Sequence, residues 1–164
     1  MSTILRIKGA AALLLVASLA LAQSTCSGYR GPDGKFVAEL PRDSTRAAYQ
    51  PAVERQYALA DFQVGNPEKW FTLALYLWPL AAVVALARAR SRRLRTPITI
   101  AEPILALCTA YGIWWGATFF VHPAAGAYVA IGALVIYFTA CMVGLWRSVR
   151  NRRLALTEPP SHSL

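Results

Sequence analysis

Charged and apolar positions separate sharply along this chain. Four long stretches carry no charge: residues 9 to 22, 70 to 87, 103 to 121 and 123 to 146. The second follows Lys69 and stops at Arg88. The third follows Glu102, and the fourth ends before Arg147. A helix rises 1.5 Å per residue, so stretches of about 18 to 24 residues cover roughly 27–36 Å, enough for a hydrocarbon core of about 30 Å. None of the last three shows the polar stripe of a helix on a soluble core. The pattern predicts three transmembrane helices, over 70–87, 103–121 and 126–146.

The first stretch is shorter. Arg6 and Lys8 precede GAAALLLVASLALA, which ends Ala20-Leu21-Ala22 before Gln23. A short basic region, an apolar run within about 7–15 residues and a small-x-small ending make a secretory signal. Residues 1–22 are therefore expected to be a cleaved signal peptide, with a retained anchor helix as the alternative.

Residues 23–69 form the expected extracytoplasmic segment. Tyr29 to Val37, with Gly31-Pro32-Asp33-Gly34 at its centre, reads as a short hairpin: proline presets the turn and Gly34 supplies positive φ. Asp43-Ser44-Thr45 reads as a helix cap. Tyr49, Val53, Tyr57 and Ala60 recur at helical spacing, which predicts a helix starting at Pro51. Asn66 caps the next helix, with Glu68 near its positive end. The expected fold class is thus an all-α membrane protein: three helices after a signal peptide, with a hairpin and a helix outside.

Charge orients this layout. The chain is 56 % hydrophobic and 15 % charged with a net charge of +9, a balance that fits lipid as solvent and an anionic partner surface. Residues 23–69 hold six basic and six acidic residues. The loop after the first span holds Arg88, Arg90, Arg92, Arg93 and Arg95. The tail 147–164 holds Arg147, Arg150, Arg152 and Arg153 against Glu158. Basic residues in short loops stay cytoplasmic. The loop 88–102 and the tail are expected inside a bacterial cytoplasmic membrane, touching lipid headgroups. The segment 23–69 and the turn 122–125 are expected outside. The arginine run lies between two spans without interleaved aromatics, so nucleic acid is not an expected partner.

Function is less legible. Cys108, Gly112 and Gly116 place small residues on one helix face, as do Gly126 with Ala130 and Ala140 with Gly144. Such faces let helices approach closely, within one bundle or between chains. Trp78, Trp114, Trp115 and His122 are candidate ligand-facing residues near the outer side. Pro79 is expected to kink its helix. Glu102 pairs with Thr99 as a capping box before Pro103. No charge falls inside a predicted span, which argues against ion or proton transport. Two histidines and three cysteines form no metal or haem pattern, and no nucleophile–base set is present, so no cofactor and no catalytic residue is expected. The reading is an accessory or interaction subunit with a protein partner or a second copy. The alternatives are a small homo-oligomeric channel or carrier, and a membrane enzyme or binder of a lipid or quinone.

Overall fold

The computed structural model describes residues 3–40, 48–59, 67–89, 91–119 and 122–157, with side chains at all of these except 92–94, 119 and 151–157. The expected caps at Asp43-Ser44-Thr45 and Asn66 lie outside the described residues, as does Arg90. So do Phe120 and the tail beyond Thr157. The side chains of Arg92, Arg93, Arg152 and Arg153 are likewise outside.

Four helices, α1 (Thr3–Ala17), α2 (Pro67–Arg88), α3 (Arg92–Phe119) and α4 (Ala125–Thr157), are joined at one end by a small sheet. All four are long and apolar enough to cross a membrane, α1 when counted with the 3₁₀ turn that carries it on to Ala20. The chain runs up, down, up and down. Helix α1 packs on α2 and α4, and α3 packs on α2 and α4, which closes a ring. The core holds Ala11, Ala12 and Leu15 of α1, Tyr76 and Val83 of α2, Ala106 and Ile113 of α3, and Ala130, Leu134 and Tyr137 of α4.

Three expectations change. Among the described residues four helices reach span length where three and a signal peptide were expected, and the apolar N-terminal stretch forms one wall of the core. Helix α3 starts at Arg92, so residues 92–102 are helical and not loop. Pro97 and Pro103 are accommodated inside it, each removing one backbone donor. The outer segment contains no helix at 51–57. Gln50–Tyr57 is a strand, β3, paired along β1 (Ala22–Arg30) in antiparallel register from Ala22↔Tyr57 to Arg30↔Gln50. The spacing of four residues between Val53 and Tyr57 is the reason for the error. It keeps two side chains on one face of a strand as well as of a helix.

The expected hairpin is present. Strand β2 (Phe36–Val37) pairs with β1 through Tyr29↔Val37 and Arg30↔Phe36, and Gly34 turns the chain at φ 78°. Strand β4 (His122–Pro123) adds to β1 through Thr25↔His122 and Ser24↔Pro123. The outer connection between α3 and α4 is thereby tied to the chain that leaves α1. Helix α2 begins at Pro67 with Glu68 in its first turn, as the sequence predicts.

Candidate functional site: a buried ion pair below a basic cavity

Helix α3 carries Glu102, the only acidic residue in the sequence between Glu68 and Glu158. It is 1 % exposed. Eleven residues into the helix, it faces the interior together with Ala106, Thr109 and Ile113, at the spacings of one helical face. Helix α1 turns Lys8 inward beside Ala11, Ala12 and Leu15, and Lys8 is 4 % exposed. Lys8 Nζ donates to Glu102 Oε2 at 2.5 Å. Helix α4 adds Tyr137, whose hydroxyl donates to Glu102 Oε1 at 2.7 Å and lies 3.4 Å from the Pro79 carbonyl of α2. Cys141, one turn further, sets its Sγ 3.8 Å from Glu102 Oε2.

Each helix thus contributes to one polar cluster. The Tyr137 ring lies 5.6 Å from Lys8 Nζ, and its edge meets Trp78 at 5.7 Å and 79°. Trp78 Nε1 donates to Thr109 Oγ1 at 2.8 Å, linking α2 to α3. Among the described residues no buried side-chain nitrogen or oxygen lacks a partner. Both charges are neutralised within the cluster, which is the condition for keeping them in an apolar bundle.

The capping-box role of Glu102 is not what the structure contains. Thr99 Oγ1 donates to the Arg95 carbonyl, and Glu102 is occupied by Lys8 and Tyr137. Glu102 and Lys8 also sit within helices of span length, where no charge was expected.

A cavity of about 590 Å³ opens beside Lys8 towards the end of the bundle opposite the sheet. Arg95 and Thr99 of α3 and Ser148 of α4 give it polar walls, while Leu5, Leu86 and Ile100 give it apolar ones. Arg95 is held by a hydrogen bond from its guanidinium to the Leu86 carbonyl at 3.2 Å. Arg6, Arg88, Arg147 and Arg150 lie on the helix segments at the same end and are exposed. None of these arginines has a carboxylate partner among the described residues.

The remaining candidates divide into inward and outward groups. Gly126, Ala130 and Ala140 are buried, and a Cβ on Gly144 would sit 3.8 Å from Ile4, so the small residues of α4 serve packing against α1 and its extension. Cys108, Gly112 and Gly116 are exposed, with open space around both glycines. Cys141 is buried and Cys108 is not, so their similar depth does not bring them together. Trp78 is spent inside the bundle. Trp114 and Trp115 point outward, Trp115 stacked on Tyr111, and His122 is exposed in β4. These four do not form one site.

Sequence reasoning missed Lys8, Tyr137, Thr109 and Gln23. The available signal was one lone acid beside a span, matched by one lysine at the edge of another apolar stretch. Comparison with known proteins found no matching family model, no matching curated protein and no matching solved structure.

Proposed function

We propose that this chain is a four-span accessory protein of a bacterial cytoplasmic membrane, with both termini inside and α1 retained as its first span. Retention is supported by Lys8, which neutralises Glu102 in the core, and by the junction at Ala22–Gln23. Gln23 is buried there, donating to the Ser18 carbonyl at 2.7 Å and accepting from the Tyr76 hydroxyl at 3.1 Å. The exposed arginines at one end support the orientation.

One contrast carries the accessory role. The small residues of α4 are consumed by packing within the chain, whereas Gly112 and Gly116 of α3 face outward between exposed Tyr111, Trp114 and Trp115. That face fits a transmembrane helix of a partner chain or a second copy, approaching closely at the glycines and flanked by aromatics. Oxidative crosslinking through Cys108 in intact membranes, with Cys26 replaced by serine, is the test. A crosslinked species lost in Cys108→Ala and weakened by Gly112→Leu is expected. A chain that stays monomeric and partner-free in native mass spectra from the membrane overturns the reading.

A carrier reading draws on a different observation, the buried Lys8–Glu102 pair. It requires solute or proton flux in liposomes that Glu102→Gln abolishes, and absence of flux from the reconstituted wild type removes it.

A further inference from the structure

We infer that the cavity beside Lys8 is a binding site for the phosphate of an acidic membrane lipid. The inference rests on the bundle lying in a bilayer and is independent of the α3 contact face. Its volume of about 590 Å³ falls within the range of small-ligand sites. Its walls divide by chemistry: Arg95 and Ser148 offer donors, and Leu5, Leu86 and Ile100 offer a surface for methylenes.

Charge selects an anion. The Glu102 carboxylate beneath the cavity is neutralised by Lys8 and Tyr137, so Arg95 supplies the uncompensated charge of the walls. A guanidinium matches a phosphate diester with paired donors. Arg95 and Thr96 also stand in the first turns of α3, where the helix dipole favours negative charge. The exposed Arg6, Arg88, Arg147 and Arg150 at this end raise the local concentration of acidic lipid.

Geometry selects a lipid over a free anion. Ile100 is 54 % and Val149 51 % exposed, so the cavity wall continues onto the outer surface of the bundle. An acyl chain leaving the cavity there enters the bilayer. A soluble phosphate would leave this apolar half unused.

The test titrates phosphatidylglycerol or phosphatidylcholine into the full chain in detergent and reads bound lipid by native mass spectrometry. The wild type is expected to prefer phosphatidylglycerol by about tenfold, because phosphatidylcholine carries the same phosphate diester but adds a trimethylammonium that Arg95 repels. Arg95→Gln removes the charge and Ser148→Trp fills the cavity, and each is expected to abolish the preference. Arg150→Gln makes the same charge change outside the cavity and is expected to preserve it. An equal loss in Arg95→Gln and Arg150→Gln would mean diffuse surface charge and overturns the site. An unchanged preference in Ser148→Trp overturns it too. Displacement of the lipid by glycerol phosphate at equal concentration would make the ligand a soluble anion and overturns the lipid assignment.

Discussion

Lys8 Nζ lies 2.5 Å from Glu102 Oε2, across 94 residues of sequence, and both side chains are almost wholly buried. Each of these residues, taken alone, marks the edge of an apolar stretch. Together they are two halves of one neutral pair. The relationship ties α1 to α3, two helices that sit diagonally across the ring, and α4 completes it through Tyr137.

Removing one member leaves the other as an uncompensated buried charge, at a cost of about 3–5 kcal/mol. Lys8→Met and Glu102→Gln are each expected to lower the midpoint of thermal unfolding in detergent markedly. The double variant Lys8→Met/Glu102→Gln removes both charges and keeps an acceptor for Tyr137, and is expected to recover at least half of the loss. Additive losses in the double variant would show that the pair is not coupled.

The sheet end makes a separate prediction. A Cβ on Gly126 would lie 2.6 Å from the Ala22 carbonyl and 2.9 Å from that of Leu21. Gly126→Ala is expected to cost about 1–3 kcal/mol through backbone displacement. Gly112→Ala meets open space and is expected to leave the unfolding midpoint of the isolated chain unchanged. Equal effects would contradict the packing of α1 and its extension on α4.

Gln23 is the residue that follows the small-x-small ending, and it bridges Ser18 to Tyr76. Its truncation in Gln23→Ala strands a buried hydroxyl, at about 1–3 kcal/mol. Tyr76→Phe removes the hydroxyl itself and is expected to cost less. A neutral Gln23→Ala in the membrane-extracted chain would mean that this junction is not packed as described.

Orientation is read by impermeant thiol labelling of intact cells in a Cys26→Ser/Cys108→Ala background. Asp33→Cys, in the hairpin turn, is expected to react. Ser91→Cys, between the basic ends of α2 and α3, is expected to react only after lysis. The opposite pattern would invert the layout.

Much of this architecture is legible in residue order. Long uncharged runs locate α2, most of α3 and α4, and Pro32 with Gly34 locates the hairpin. What escaped has a common physical cause. Treating every charge as a boundary places Glu102 outside its helix and leaves Lys8 without its partner, because the cost of burying a charge is cancelled only by a partner distant in sequence. The strand Gln50–Tyr57 escaped because a four-residue spacing suits a strand as well as a helix, and its neighbour β1 is polar without alternation, so nothing in the pattern marks their pairing. The outward direction of Gly112 and Gly116, against the inward direction of Gly126 and Ala130, depends on which helix faces meet, and spacing alone carries no such information.

The proposed retention of α1 in the mature bundle makes Lys8 the counter-ion of Glu102. N-terminal sequencing of the chain purified from its native membrane tests this most directly. A start N-terminal to Lys8 is expected. A chain beginning at Gln23 would leave Glu102 without its lysine and contradict that retention.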